Sequence, residues 1–285
     1  MTFANRSPRE LWVCHLGVVP YRDGLAIQKS IRTRRQGGEL PDTLLLLEHP
    51  PVYTRGRRSG AEDLPLGESF YRAKGIDVVD VDRGGQVTYH GPGQLVGYPI
   101  MRIDDVHRYL RTMEDAIIVA LDQSGVRAHS RHEEGIDYTG VWVAERKIAS
   151  IGVHVSRGVT THGFAVNVDN DLDPFSWVIA CGLPDVAMTS LAQELTRVGT
   201  PANAAPRSTP PPGDVSAPAP ALNGCDPLFA CTRKRVAHAF AQAHGRRQRL
   251  VSPSRLGIDT ANADRRAERA PIKTISSPLG EPVPA

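Results

Sequence analysis

A segment rich in proline and alanine limits where this 285-residue chain can build a folded core. Between Gly199 and Asn223 the sequence is dominated by Pro, Ala, Ser and Thr. Such a composition buries too little apolar surface to offset the entropy that is lost when a chain becomes ordered. We therefore predict a disordered linker at residues 199–224 and one main folded domain at residues 1–198.

The charge of the chain divides at the same place. Residues 1–200 hold 22 Lys and Arg against 25 Asp and Glu, whereas residues 201–285 hold 12 against 6. We predict that residues 225–245 add a final helix to the domain, over Leu228–Ala243, and that residues 246–285 form a basic disordered tail. No nucleic-acid-binding module accompanies these basic residues, so the sequence does not favour a nucleic-acid partner.

The body of the chain has the pattern of an α/β (α+β) domain. Thr43–Leu47 is a continuous apolar run of strand length, which is typical of a strand buried on both faces. Val106–Gln123 repeats apolar residues with the period of a helix. Further helices are predicted at Leu25–Arg35 and from Leu191, and further strands at Leu11–Val19, Asp77–Val81, Gly140–Ala144, Lys147–Val155 and Thr161–Val168.

Several classes of protein are not supported by the sequence. No apolar run approaches the roughly 18–20 residues that span a bilayer, and the amino terminus has no apolar segment of the signal-peptide type. The four cysteines have no metal-ligand spacing and are too few for a disulfide scaffold, so we expect a cytoplasmic protein. Two-histidine metal motifs and phosphate-binding glycine motifs are absent from the sequence, and we expect neither a metal nor a cofactor.

The segment Arg83–Pro99, RGGQVTYHGPGQLVGYP, contains five glycines and two prolines. Glycine lets the backbone adopt positive φ and approach a ligand closely. One interpretation is a loop that cradles a substrate carbonyl or an acyl chain. The other is a tight structural turn, which is the commoner role of a single Gly-Gly pair.

Cys181 is the best candidate nucleophile of the four cysteines, because Gly182 and Pro184 place it at a sharp loop. Against this, a free cysteine is more commonly a small buried apolar residue. A thiol is only a few per cent ionised near pH 7, and a nearby ammonium group increases that fraction. Lys147 could supply the ammonium group if its strand converges with the loop of Cys181.

Three segments together resemble the lipoyl(octanoyl) transferases, the octanoyltransferases of lipoate biosynthesis. They are RGGQVTYHGPGQLVGYPI, KIASIGVHVSRGVTTHGFAVNV and the Cys-Gly that follows, within a match over about residues 10–195. The resemblance implies the biotin/lipoate protein ligase fold, an α/β domain with a central mixed sheet. It also implies a two-step transfer, in which an octanoyl group passes from octanoyl-acyl carrier protein to an enzyme cysteine and then to a lysine of an apo lipoyl domain.

By motif position, the resemblance implies that Cys181 is the acyl-thioester nucleophile and that Lys147 promotes its ionisation. The base for the incoming lysine is then either Lys147, once neutral, or a water molecule. Three segments are implied to line the acyl pocket: Arg83, Gly84, Gly85, Gln86, Val87, Thr88, Tyr89 and His90; Ser150, Ile151 and Gly152; and Gly163, Phe164 and Ala165.

The implied partners are octanoyl-acyl carrier protein and the apo lipoyl domains of 2-oxoacid dehydrogenase complexes and of the glycine cleavage H protein. No membrane partner is implied, and a monomer is expected. Because both kinds of partner tend to be acidic, Arg55, Arg57 and Arg58 either help to dock the carrier protein or form an ordinary solvated surface.

Two other functions stay open at the level of sequence. An ATP-dependent lipoate or biotin ligase of the same fold would activate a free acid and would need no cysteine nucleophile. A non-catalytic protein could instead bind acyl carrier protein or lipoyl domains without transferring an acyl group. The combination of Cys181 with Lys147 favours the transferase over the ligase.

Overall fold

The computed structural model describes residues 10–183, 186–199 and 228–259. Apart from Gly199, the predicted linker lies outside the described residues, as does the predicted tail beyond Asp259. In chain order the helices and strands are β1 (Glu10–Val18), α1 (Tyr21–Gln36), β2 (Asp42–Glu48), β3 (Val52–Arg55), α2 (Glu68–Ala73), β4 (Asp77–Asp80), β5 (Thr88–His90), β6 (Gln94–Ile100), α3 (Val106–Asp122), β7 (Gly140–Val143), β8 (Arg146–Ser156), β9 (Val159–Asn167), α4 (Leu191–Gly199), α5 (Leu228–Ala243) and β10 (Arg247–Leu250).

The centre of the molecule is a seven-stranded mixed sheet in the order β10-β1-β2-β6-β9-β8-β7. The neighbours β10, β1 and β2 run parallel, and each later pair along the sheet is antiparallel. The predicted α/β fold with a central mixed sheet is confirmed. A smaller three-stranded sheet, β4-β3-β5, lies beside it.

Helices cover both faces of the large sheet. Alternate side chains of β2 point to opposite faces, so Leu44 and Leu46 pack with α3 and α5 while Leu45 and Leu47 pack on the side of α1. This double burial explains the continuous apolar run of the strand. None of the helices in the described ranges is long and apolar enough to cross a membrane.

The small sheet has an aromatic core of its own. Tyr53 of β3 packs edge-on against Tyr71 of α2 with ring centroids 4.9 Å apart, and Phe175 and Trp177 belong to the same cluster. The hydroxyl of Tyr53 donates to the carbonyl of Pro174 at 2.6 Å, and that of Tyr71 donates to the carbonyl of Trp177 at 2.9 Å. The chain that leads to Cys181 is therefore fixed to the small sheet.

Two features of the fold differ from the sequence-based expectation. Helix α1 begins at Tyr21, directly after Pro20, rather than at Leu25. The glycine-rich segment is not one loop, because it contains β5 and the fully buried strand β6. Gly97 and Pro99 lie inside β6 and pair with Leu46 and Leu44 of β2. The missing side chain of Gly97 makes room for the ring of Phe164 on the neighbouring strand.

The prediction of a disordered tail from residue 246 is wrong for its first part. Residues 247–250 form β10, which pairs in parallel with β1. The guanidinium of Arg246 lies 2.7 Å from the buried carboxylate of Asp42, and Leu256 packs into the core beneath α1. Few residues of this segment are apolar, so its order depends on pairing with an existing sheet edge and has no local sequence signal.

Candidate active site

A cavity of about 390 Å³ lies between the small sheet and one end of the large sheet. Its size is within the range of small-molecule sites in proteins. Twelve of the fourteen residues predicted to line an acyl pocket line it, and so does Lys147. The other lining residues lie outside the three predicted pocket segments: Tyr21, Arg57, Arg58, Val96, Tyr98, Val106, His107, Leu110, Ile136, Asp137, Thr139, Val153 and His162.

Exposure distinguishes the mouth of this cavity from its interior. Ile136 is 63% exposed and Val106 at the start of α3 is 37% exposed, so these residues mark the mouth. Val96 and Tyr98 of β6 are buried and belong to the inner wall, as does Ala165 of β9. Apolar side chains at the mouth and on the inner wall together provide a surface suited to an aliphatic chain.

The 83–90 segment places only part of its side chains in the cavity. Thr88 and His90 line it, whereas Val87 and Tyr89 are buried in the aromatic core of the small sheet. The expectation that Val87 and Tyr89 line the pocket is therefore wrong. The reason is the alternation of a β-strand, since β5 spans Thr88–His90 and successive side chains point to opposite faces.

Arg83 holds the glycine-rich loop in position. Its guanidinium donates to the carbonyl and hydroxyl oxygens of Thr54 at 2.8 and 2.6 Å. The next residue, Gly84, donates its N–H to the carbonyl of Val153 at 3.0 Å, which joins the loop to β8. A side chain on Gly152 would lie 2.9 Å from the carbonyl oxygen of Gly84. The loop can therefore approach the sheet only because Gly152 has no side chain.

Neutral histidines form the buried wall around Tyr98. Nδ1 of His49 lies 2.6 Å from the carbonyl oxygen of Val19 and must donate to it, so Nε2 accepts from the hydroxyl of Tyr98 at 2.7 Å. Burial lowers the pKa of His49 to about 4. His90 bonds to Gln94 at 2.7 Å, and burial holds its pKa well below the ordinary value. His49 and His90 are therefore uncharged near pH 7.

His162 bounds the cavity at the end away from Lys147. It pairs with Val153 of β8, six residues beyond Lys147, which corresponds to about 20 Å along a strand. Its Nε2 lies 2.8 Å from the carboxylate of Asp82, and this hydrogen bond lowers the pKa of Asp82 to about 2. His162 has a φ of +56° inside a strand, a conformation that costs free energy and is found most often at functional sites.

Lys147 is buried at the opposite end of the cavity, with only 2% of its surface exposed. Its ammonium nitrogen lies 5.2 Å from the centre of the indole ring of Trp142, within the range of a cation–π contact. Gly140, with a φ of +142°, lies beside the lysine, and a side chain there would lie 2.8 Å from Cε of Lys147. The amide of Gly140 donates to the buried carboxylate of Glu114 at 2.9 Å.

The turn that contains Cys181 is fixed on both sides. Before it, the amide of Ile179 donates to the carbonyl of Asp63 at 3.1 Å. After it, Lys147 donates its N–H to the carbonyl of Ala187 at 2.9 Å and accepts from the N–H of Thr189 at 3.0 Å. Cys181 itself lies in a single 3-10 turn, Ala180–Gly182. The chain is therefore bonded to Asp63 two residues before Cys181, and to the strand that carries Lys147 at residues 187 and 189.

The three arginines predicted as a docking cluster differ in their surroundings. Arg55 forms ion pairs with Asp80 at 2.6 Å and Glu68 at 2.9 Å, so its charge is compensated. Arg58 lies 2.8 Å from Asp137. Arg57 and Arg58 are exposed and line the mouth of the cavity. Among the described residues, no group of three or more His, Cys, Asp or Glu side chains is placed to hold a metal ion.

Comparison with known proteins agrees with this geometry. The lipoyl protein ligase A/B catalytic domain family matches residues 20–207. An octanoyltransferase from Rubrobacter xylanophilus is 49% identical over 185 residues, which cover 64% of this chain and 82% of that protein. An octanoyltransferase from Rhodococcus opacus is 41% identical over 249 residues, which cover 84% of this chain and 92% of that protein.

Solved structures of lipoate ligases share the fold. Lipoate-protein ligase A bound with ATP superimposes with a TM-score of 0.61 at 14% identity, covering 91% of this chain and 94% of the other. A bi-partite lipoate protein ligase from Thermoplasma acidophilum gives 0.59 at 16% identity, covering 90% and 91%. The chain therefore belongs to the lipoyl protein ligase A/B catalytic domain family. Within that family it is a lipoyl(octanoyl) transferase, and so an acyltransferase.

Proposed function

We propose that this protein transfers an octanoyl group from octanoyl-acyl carrier protein to a lysine of an apo lipoyl domain, through a thioester on Cys181. The observation that supports the proposal is the position of Lys147, which is buried at one end of a largely apolar cavity and whose backbone bonds to Ala187 and Thr189, a few residues after Cys181. An aliphatic chain fits the cavity wall, and the acyl carbon of such a chain would lie at the end that holds the lysine.

The first step is an exchange of thioesters. The thiolate of Cys181 attacks the carbonyl carbon of the donor, the new C–S bond forms, and the electron pair of the carbonyl moves to oxygen. When the carbonyl re-forms, the C–S bond to the carrier breaks and the carrier thiolate takes up a proton. One thioester replaces another of similar energy, so the step requires no ATP. A buried ammonium group at Lys147 would stabilise the thiolate more strongly than an exposed one.

The second step forms the amide. The amine of the acceptor lysine attacks the Cys181 thioester, loses a proton, and expels the cysteine as a thiolate. His162 is bound to Asp82 and lies about 20 Å along β8 from Lys147, so it is not placed to accept this proton. We infer that the base is Lys147 in its neutral form or a water molecule beside it.

We propose that the donor docks at the mouth of the cavity through Arg57 and Arg58. An acidic carrier protein would be attracted chiefly by the exposed charge of Arg57, because Arg58 is paired with Asp137 and Arg55 with two carboxylates. Charge reversal at Arg57 is expected to raise the KM for the donor at low ionic strength, with little effect in high salt. The same reversal at Arg127, an exposed residue beyond α3, serves as the control. The acceptors proposed are the lipoyl domains of 2-oxoacid dehydrogenase complexes and the glycine cleavage H protein.

The proposal is tested by mass spectrometry of the protein after mixing with octanoyl-acyl carrier protein. We expect an octanoyl adduct on Cys181 in the wild type, none in Cys181→Ser, and transfer to an apo lipoyl domain without ATP. Lys147→Ala is expected to slow both adduct formation and alkylation of Cys181 by iodoacetamide. Binding of the carrier without an adduct would identify a binding protein, and a requirement for ATP with free octanoate would identify a ligase.

A further inference from the structure

Gln86 is the cavity residue that touches the turn of Cys181. Gly182, with a φ of +69°, has no room for a side chain, because the amide group of Gln86 packs against its α-carbon. Gln86 also lines the cavity and is partly exposed there. The glutamine amide therefore lies next to the residue that follows the proposed nucleophile. In α/β-hydrolases, the backbone N–H of the residue after the nucleophile helps to stabilise the oxyanion.

The backbone of the turn does not fill this role by itself. The N–H of Gly182 points back to the carbonyl of Ile179 at 3.5 Å, and the N–H of Leu183 donates to the carbonyl of Ala180 at 3.1 Å. These are the internal bonds of the 3-10 turn. The two backbone donors that follow Cys181 are thus directed into the turn rather than toward a bound acyl group.

The amide of Gln86 is available to a ligand. Over the ranges that the structure describes, no hydrogen bond joins its side chain to another residue, in contrast to Gln94, whose amide is bonded to His90, Tyr89 and Asn167. Rotation of the terminal amide by 180° exchanges its nitrogen and oxygen in the same volume. The amino group can therefore face the cavity without any other change in the site.

We propose that the side-chain amide of Gln86 is a catalytic residue that donates a hydrogen bond to the oxyanion formed in both steps of acyl transfer. This inference rests on the proposed thioester at Cys181. In each step a nucleophile adds to the carbonyl carbon and the electron pair of the C=O bond moves to oxygen, where a preplaced donor stabilises it. Collapse of the adduct returns that pair and expels the carrier thiolate in the first step, or the Cys181 thiolate in the second.

The rate at which iodoacetamide alkylates Cys181 distinguishes the proposed role of Gln86 from that of Lys147. Iodoacetamide reacts with a thiolate by displacement of iodide, and the carbonyl group of the reagent takes no part, so an oxyanion donor has no effect on the rate. A residue that promotes thiolate formation affects alkylation and acylation together. A residue that stabilises the oxyanion affects only acylation, and a general loss of folding affects both and lowers the Tm.

The test compares Gln86→Met with Gln123→Met. Methionine matches glutamine in length but donates no hydrogen bond, and Gln123 lies exposed at the end of α3. Single-turnover acylation from octanoyl-acyl carrier protein is expected to fall in Gln86→Met on the order of 100- to 1000-fold, the typical effect of one oxyanion donor. The rate and pH profile of alkylation, the Tm and the KM for the donor are expected to match the control.

A second variant, Gln86→Glu, preserves the shape of the side chain and places a carboxylate where the oxyanion forms. Its acylation rate is expected to fall at least as far as that of Gln86→Met. Acylation of either variant at the wild-type rate would overturn the role of Gln86, as would an equal loss of alkylation and acylation. If the wild type itself forms no adduct on Cys181, the proposed function fails instead, so the two failures are distinguishable.

Discussion

At the scale of single residues, the position of the Lys147 side chain depends on Gly140, a glycine that no sequence motif indicated. Gly140 touches the end of the Lys147 side chain, and Glu114 fixes its backbone through a hydrogen bond of 2.9 Å. With Trp142 close to the ammonium nitrogen, these contacts limit the positions that the lysine can occupy. Gly140 is therefore expected to be a positioning residue that acts through Lys147.

This role predicts a specific effect of Gly140→Ala. A methyl group there would clash with the carbonyl oxygen of Ala149 and lie 2.8 Å from Cε of Lys147, so both strand β8 and the ammonium group of the lysine would have to shift. A displacement of about 1 Å can reduce a rate on the order of 100-fold. The expected result is a loss of that size in kcat/KM for octanoyl transfer, together with slower alkylation of Cys181.

Gly135→Ala is the matched control. Gly135 also has a positive φ, +125°, but nothing lies within 4 Å of the position its side chain would take. Both variants carry the strain of a positive φ, but only Gly140→Ala also clashes with Ala149 and Lys147, so its Tm is expected to fall further than that of Gly135→Ala. Equal losses of activity in the two variants would show that strain alone is responsible and that Lys147 is not displaced.

The site residues that the sequence indicated belong to short motifs, and it is the combination of these motifs that suggested a common site. Lys147 is an example: most lysines at the start of a strand are solvated, and only its proposed pairing with Cys181, which the resemblance supports, singled this one out. Trp142 and Gly140 carried no comparable signal, since their importance arises from a bulge between Val141 and Trp142 that sets Trp142 opposite Lys147. Such cross-strand contacts depend on register, which a single sequence does not specify.

At the scale of elements, strand β6 forms although its glycine and proline residues have a low propensity for β-strands. Glycine and proline disfavour a central strand, yet β6 lies between β2 and β9 with every residue buried. Gly97 accommodates the ring of Phe164. The fixed position of Tyr98 on this strand then brings its hydroxyl to His49 at the end of β2. Tertiary packing, rather than local preference, determines the inner wall of the cavity.

The burial of His49 predicts that stability falls in mild acid. The pKa of His49 is about 4 in the folded protein and about 6.5 in an unfolded chain. Between these values the unfolded chain binds more protons, so the free energy of unfolding decreases as pH falls. The full contribution is present above about pH 6.5, and about 3 kcal/mol is lost as the pH falls through about 4.

Urea denaturation at pH 7 and pH 4.5 measures this effect. His90 and His244 have pKa values lowered in the same direction, so the wild type alone does not isolate His49. In His49→Gln the titrating group is removed, and the difference between the two pH values is expected to shrink by about 2 kcal/mol. Parallel pH dependence in the variant and the wild type would exclude His49 as a source of acid sensitivity.

At the scale of the whole molecule, the compositional boundary near residue 200 does not mark the end of the fold. Helix α5 packs against α3, and Val236, Ala237 and Phe240 belong to the main core. The sequence indicated this helix by its apolar spacing. It did not indicate β10, because a short polar strand at the sheet edge is stabilised by β1 and not by its own composition.

The last ordered segment leads to a prediction about truncation. Burial of a large apolar side chain contributes about 1.5–3 kcal/mol, and a whole domain has a net stability of only about 5–15 kcal/mol. Ending the chain at Gly199 removes Val236, Phe240 and Leu256 from the core, so this fragment is expected not to fold. Ending it at Asp259 preserves all of these contacts, and the Tm and transferase activity are expected to match those of the full chain.

An intermediate fragment that ends at Gly245 keeps α5 but loses β10 and the ion pair of Arg246 with Asp42. Its Tm is expected to lie between those of the fragments that end at Gly199 and Asp259. Thermal unfolding followed by circular dichroism orders the three fragments, and cooperative unfolding of the shortest one would show that the first 199 residues form a complete domain.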